Sequence, residues 1–366
     1  MPIQKGPAQV DILQAGGSMV ARLLNSGFEP AAFRPYFAED GNSYIDVRTG
    51  VDELQRPVYN AVQRINNANT VLRKDEWQLL DRNATQVFRN RLRMVADLRN
   101  RNLVFNMPNG WAHTVLQTQN ESDTNDASIS MDGLVRGDND RPEYDLTNLP
   151  LPVIHKDFQF TAREIATSRN VGTPLDVASA QIAARKVAEL AEKLVAGTAG
   201  SFSFGGGSIY GYTNFPSRIT KTDLTSPASS GWTQQVTYNE VIAMRQLAHN
   251  AKRYGPFVLY ASSDWDQYLD AKTLTTTANQ MTLRENIRSI DGIEDVRSAD
   301  YLPAKHLVLV QMDVETVREV VGMDVRTLQW DTDGGMGVNF KVMAIMIPQL
   351  RADFDGNCGI VDGSYT

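Results

Sequence analysis

Residues 117–147 hold few large apolar side chains, and no other feature constrains the fold as much. They carry Glu121, Asp123, Asp126, Asp132, Asp138, Asp140, Glu143 and Asp145 against only Arg136 and Arg141. Such a segment has little to bury, so a core cannot absorb it. Strand-like pieces flank it, residues 103–105 and 114–116 before it, 153–154 and 158–160 after it. Connections of this length are uncommon in compact domains and usually functional. The stretch is therefore expected to leave the body as a long excursion between two strands and to touch another molecule. A disordered acidic loop is the alternative its composition allows.

A rod follows. Thr173-Pro174-Leu175-Asp176 is a helix start, with Thr as cap and Pro at the first helical position. The apolar stripe Val177, Ala180, Ala184, Val187, Ala191 and Leu194 then recurs at helical spacing up to Gly197. About 25 residues at 1.5 Å rise give a rod on the order of 37 Å, and its alanines permit close packing on a sheet.

A second amphipathic helix is expected over residues 75–100, from Trp77, Leu80, Ala84, Val87, Phe88, Leu92 and Val95. Its end is basic: Arg89, Arg91, Arg93, Arg99 and Arg101 against a lone Asp97. Cations suit a helix C-terminus. A solvated face or protein–protein ion pairs are favoured over direct contact with DNA. Residues 1–70 hold recurrent turn formers, Gly16-Gly17, Pro30, Pro35, Gly41-Asn42, Gly50 and Pro57, and read as an irregular arm with one short helix at 18–25.

Residues 201–235 have a surface-loop composition. Beyond them the expected order is a helix at 238–253, a buried strand at 257–260, a helix at 263–271, and strands at 296–297, 306–311 and 314–321. Two long runs, 325–330 and 338–347, flank a turn at 331–335 and predict a β-hairpin of unusual reach.

The composition is that of a globular chain: 42% hydrophobic, 22% charged, net charge −7. No apolar run spans a bilayer, and the N-terminus lacks the apolar segment of a secretory signal. These observations predict a protein made and kept in a cytoplasm, without a membrane partner. A net negative charge argues against a surface built to grip nucleic acid.

The residues that carry chemistry are scattered. His113, His155, His249 and His306 stand far apart with no HExxH pattern, and the single Cys358 excludes an internal disulfide and a Cys-rich zinc site. Gly205-Gly206-Gly207-Ser208-Ile209-Tyr210-Gly211 fails both the dinucleotide and the P-loop patterns. Asp331-Thr332-Asp333-Gly334 and Asp353-Phe354-Asp355-Gly356-Asn357 begin like calcium loops but lack the distal Glu, and are expected to be turns. No catalytic residue, cofactor or metal is predicted.

The order of elements resembles the major capsid proteins of tailed phages with the Hong Kong 97 fold, and the related encapsulin shells. Residues 152–170 look like the E-loop return strand leading to the spine helix, 174–200 like the spine helix, and 208–215 (SIYGYTNF) like the Gly-aromatic segment after it. Residues 305–321 with Gly322-Met323-Asp324-Val325 look like the strand pair that ends in a Gly-x-Asp segment. The resemblance implies an α+β fold divided into an N-terminal arm (1–70), a joining helix (71–102), an E-loop hairpin (103–160), a peripheral domain with the spine helix (161–202), an axial domain (203–322) and a C-terminal hairpin (323–366). It implies a non-enzymatic shell subunit that forms hexamers and pentamers around double-stranded DNA in a phage head. Further partners implied are portal, scaffolding and decoration proteins, with DNA held non-specifically at the inner face. An encapsulin-type nanocompartment shell is the alternative. Inter-subunit contacts are expected from Arg89, Arg91, Arg93, Arg99 and Arg101 on one side and Asp132, Asp138, Asp140, Glu143 and Asp145 on the other.

Overall fold

The computed structural model describes residues 36–37, 43–51, 57–64, 93–123, 131, 141–171, 178–271, 281–332 and 336–365. Three strands come first, β1 (Tyr36–Phe37), β2 (Ser43–Val51) and β3 (Pro57–Arg64), in one antiparallel sheet. An irregular arm was expected here. The two turn formers among the described residues instead mark strand features: Gly50 sits at a bulge in β2 and Pro57 opens β3, positions each tolerates. The expected helix at 18–25 lies outside the described residues.

Next come α1 (Met94–Asn100), β4 (Val104–Asn106), a 3₁₀ turn at Gly110–Ala112, and the antiparallel pair β5 (Val115–Glu121) and β6 (Tyr144–Pro150). Of the helix expected over 75–100, residues 94–100 are helical, and 75–92 lie outside the described residues. Met94, Val95 and Leu98 are its buried stripe. The polar excursion is a hairpin, but its return strand is β6. The apolar run expected to return, β7 (Ile154–Thr161), instead pairs with the terminal hairpin. Ile154 and Phe160 face the core there, whereas β6 pairs well with few apolar residues because the ribbon is solvated.

Two helices follow, α2 (Ala162–Val171) and α3 (Ala178–Ala196). The start signal of α3 lies outside the described residues. Its end is as expected: Gly197 takes φ +88°, and the N–H groups of Gly197 and Thr198 both reach the Lys193 carbonyl (2.9 and 3.0 Å). Ala180, Ala183, Ala184, Ala188 and Ala191 are buried, so α3 lies close across β7 and the terminal hairpin.

The glycine-rich stretch read as surface loop holds a small hairpin, β8 (Phe202–Phe204) and β9 (Gly207–Ile209), closed by Gly205 and Gly206 at positive φ. It also holds β10 (Ile219–Lys221). Then come α4 (Gln234–Asn250), β11 (Phe257–Ala261), a 3₁₀ turn at Ser263–Trp265 running into α5 (Asp266–Leu269), α6 (Leu283–Arg288), β12 (Ile293–Ser298) and β13 (His306–Gln311). Helix α4 starts four residues earlier than expected, where Trp232 Nε1 donates to Thr237 Oγ1 at 2.8 Å. The short α6 was not foreseen, although Thr282 and Glu285 form a complete capping box.

The chain ends in β14 (Val317–Thr332), β15 (Gly337–Leu350) and β16 (Ile360–Ser364). The two strands expected at 314–321 and 325–330 are one, carried through irregularities between Val321 and Arg326. A four-stranded sheet runs β4-β14-β15-β7 and a five-stranded sheet β10-β16-β13-β11-β12. The continuous apolar run of β11 follows from its place: Val258 and Tyr260 face the main core, Phe257, Leu259 and Ala261 a second core under α4 and α6. A third cluster, with Phe158 and Phe340 stacked at 5.1 Å, fills the far end of the terminal hairpin.

Candidate assembly surfaces

The β5–β6 ribbon alternates its faces. Val115, Gln117, Gln119 and Glu121 share one face with Tyr144, Leu146 and Asn148; Leu116, Thr118 and Asn120 share the other with Asp145, Thr147 and Leu149. Burial falls along it. Leu149 is buried at the root, whereas Tyr144 and Leu146 are 59% and 61% exposed at the outer end. The root is tied down by polar bonds: Gln349 Nε2 donates to Thr118 Oγ1 (3.2 Å) and Asn148 Nδ2 to the Gly205 carbonyl (3.0 Å). Large exposed apolar groups on a ribbon fixed at one end are a candidate contact surface, with no occupant among the described residues.

Of the arginines named from the sequence, the three that are described have partners elsewhere than on this ribbon. Arg99 forms a two-pronged pair with the buried Glu319 (2.8 and 3.1 Å) and stands 3.9 Å from Asp324. Arg101 pairs with Glu294. Arg93 is exposed, donating to the Ser298 carbonyl at 3.3 Å and 4.0 Å from Asp300. These three tie α1 to β14 and β12 within the chain. Glu143 and Asp145 are exposed on the ribbon. Arg89, Arg91, Asp132, Asp138 and Asp140 lie outside the described residues.

Sequence reasoning missed a buried polar junction between the two sheets. Glu192 on α3 accepts from the backbone N–H groups of Arg93, Met94 and Val95 (3.0, 2.6 and 3.4 Å), capping α1 from another helix. Burial pushes its carboxyl up to about 7, against the pull of those three donors. Asp97, one turn into α1, accepts from Tyr260 Oη (2.9 Å) and Arg297 Nη1 (2.5 Å). Burial raises its carboxyl too, against the lowering effect of Arg297 and Tyr260. Tyr212 stacks on Tyr260 at 5.8 Å. The one available signal was Glu192 itself, a charge in line with the buried Ala188 and Val195 of the alanine stripe.

His155, His249, His306 and Cys358 lie on different segments of the chain. His306 Nδ1 lies 2.7 Å from Asp362, which also takes Arg218 at 3.2 Å, so that carboxylate is held in place by two partners. His155 pairs with Asp157 at 3.6 Å, and His249 packs on Tyr254 and Phe257. Cys358 is buried, and burial raises its thiol to about 11, away from the thiolate a nucleophile needs. The Asp353 carboxylate caps its own turn by accepting from Asn357 N at 2.6 Å. No group of His, Cys, Asp and Glu among the described residues could hold a metal ion, and no described helix is long and apolar enough to cross a membrane.

A family model described as a family of unknown function, DUF6260, matches residues 66–363. No curated protein matches the chain in sequence. Among solved structures, the chain is similar to the virus-like particle from Pyrococcus furiosus, at 17% identity and a TM-score of 0.55, covering 79% of this chain and 99% of that one. It is also similar to the capsid of a native GTA particle, at 14% identity and a TM-score of 0.52, covering 75% of this chain and 91% of that one. These likenesses are of fold: a mixed α+β subunit of the Hong Kong 97 kind.

Proposed function

The chain belongs to the DUF6260 family, and from that membership and the shell fold on which it is built we propose that it is a major capsid protein of a tailed phage. In this reading it self-assembles into hexamers and pentamers of an icosahedral head around double-stranded DNA. It is made in the host cytoplasm and resides in the virion. Its work is assembly and not catalysis.

One observation carries the reading: the likeness covers 99% of a virus-like-particle subunit and 79% of this chain, and not an isolated motif. The exposed ribbon supports it, because closed shells need each subunit to clasp several neighbours through weak, repeated contacts. Glu143 and Asp145 are proposed as contact residues, with Arg93 and, outside the described residues, Arg89, Arg91, Asp132, Asp138 and Asp140. Arg99 and Arg101 act first inside the subunit. Portal, scaffolding and decoration proteins are further partners in this reading, and DNA meets the inner face non-specifically.

The virus-like-particle match also favours a second reading, an encapsulin-type shell without a viral genome. Expressing the chain alone, then sedimentation and negative-stain electron microscopy, tests both. Closed shells or rings of five and six subunits are expected. Shells that co-purify with an enzyme would move the assignment to the second reading. A monomer at high concentration, even with scaffold supplied, would overturn both.

A further inference from the structure

Helix α1 is tied by charge to both sheets. Arg99 takes Glu319 of β14, Arg101 takes Glu294 of β12, and Asp97 takes Tyr260 of β11 and Arg297 of β12. Its first turn is held differently. The Arg93 side chain does not cap it and turns to the Ser298 carbonyl instead. One carboxyl from another helix, Glu192 of α3, carries the N–H groups of Arg93, Met94 and Val95.

Two of those bonds run to Oε1 (3.0 and 2.6 Å) and the longest to Oε2 (3.4 Å). A carboxyl protonated at Oε2 keeps both bonds at Oε1, which has two lone pairs. It also gains an O–H that needs an acceptor. Tyr212 offers one: its hydroxyl oxygen is buried, has no hydrogen-bond partner among the described residues, and lies within electrostatic reach of Glu192 and Asp97.

The ionised carboxyl is the costly form here. Glu192 is buried, and the charge of Asp97 opposes its own. The nearby cations are spent elsewhere. Arg297 answers Asp97 and is shared with Asp295, which also takes Arg288. Arg101 adds a further pull on Asp97.

We propose that Glu192 and Tyr212 form a proton-operated latch on α1: with a proton on Glu192 the first turn of α1 is locked in place, and loss of that proton lets the turn open while the rest of the fold stays closed. The latch goes beyond the shell reading and does not depend on it. With the turn open, Glu192 meets water and returns to the ordinary 4.5; with the turn closed, it keeps its proton up to about 7. Closure therefore takes up a proton between those values. The turn is held most firmly below about 4.5, loosens as pH rises, and loosens no further above 7.

Amide hydrogen exchange on the unassembled full chain, corrected for the intrinsic rate at each pH, reads the latch directly. Protection of the Met94 and Val95 amides should fall about ten-fold per pH unit between pH 4.5 and 7 and then level off, while β11 amides stay better protected throughout. Glu192→Gln should hold the Met94 and Val95 amides at one level across the range, because the neutral amide keeps a carbonyl acceptor and offers an N–H to Tyr212. Tyr212→Phe keeps the backbone N–H that caps Val195. It should lower protection about five-fold at the acid end, one lost hydrogen bond, and leave the level above pH 7 unchanged. A fall with pH in Glu192→Gln as steep as in the parent would overturn the latch. So would α1 amides that exchange only together with those of β11, since the turn then opens by global unfolding alone. Equal losses at both ends in Tyr212→Phe would overturn the pairing of the proton with Tyr212.

Discussion

Glu192 is the residue whose chemistry reaches furthest. Folding raises its carboxyl from the ordinary 4.5 to about 7. A native state that holds its proton more tightly than the unfolded chain is favoured at low pH, so this contribution is fully present below about 4.5 and is lost as pH rises through 7. Asp97, also raised by burial, acts in the same direction. Glu192→Gln should flatten the decline in stability between pH 4.5 and 7 by on the order of 3 kcal/mol, read from urea melts at several pH values. A parallel decline in parent and variant would show that Glu192 does not titrate in that window. Arg99 makes the complementary case. Removing it strands the buried Glu319, and Arg99→Ala should cost roughly 3–5 kcal/mol in the same melts, whereas Arg99→Met with Glu319→Met should cost much less. Neither role was legible in the sequence. Arg99 stood in a run of arginines that read as one basic surface, and its partner lies 220 positions away.

Elements were legible where periodicity is local. The alanine stripe and Gly197 of α3, the apolar run of β11 and the two arms of the terminal hairpin each state their structure over a few residues. The three-stranded sheet of residues 36–64 was hidden because its turn formers also serve as a bulge and a strand start. The pairing of β5 with β6 was hidden because strands solvated on both faces lack the apolar alternation that marks register. The end of α3 shows how two elements are fixed to each other. A Cβ on Gly211 would stand 2.2 Å from Gly197 N and 2.3 Å from the Leu194 carbonyl oxygen, and Tyr212 N–H already caps Val195 at 2.8 Å. Those atoms are backbone and cannot rotate away. Gly211→Ala should therefore cost about 3 kcal/mol or more, comparable to overpacking a core, and should expose the helix end to proteolysis. A melting temperature within a degree of the parent would mean that the 208–215 segment does not close the helix.

At the scale of the molecule, the core and the exposed outer end of the ribbon are drawn from different parts of the chain. The main core takes residues from α1, α3, the four-stranded sheet and one face of the five-stranded sheet, so the two sheets share one interior. Among the described residues, the ribbon contributes to it at its root, through Leu149 and the half-buried Leu116. Farther out, the described Tyr144 and Leu146 are exposed, and Glu121, Glu143 and Asp145 form no ion pair to the body among the described residues. Replacing residues 118–147 by a short Asn-Gly turn keeps both root residues and forfeits the Gln349–Thr118 bond, worth about 1 kcal/mol. The shortened chain should therefore melt within a few degrees of the parent and sediment as a subunit under conditions where the parent forms particles. If Glu143 and Asp145 make the proposed contacts, parent particles should in turn loosen as salt is raised, because such charges are screened beyond a Debye length of about 8 Å at physiological ionic strength. Normal shells from the shortened chain would show that the acidic ribbon is not what joins the subunits. A collapse of its melting temperature would show that the ribbon belongs to the core after all.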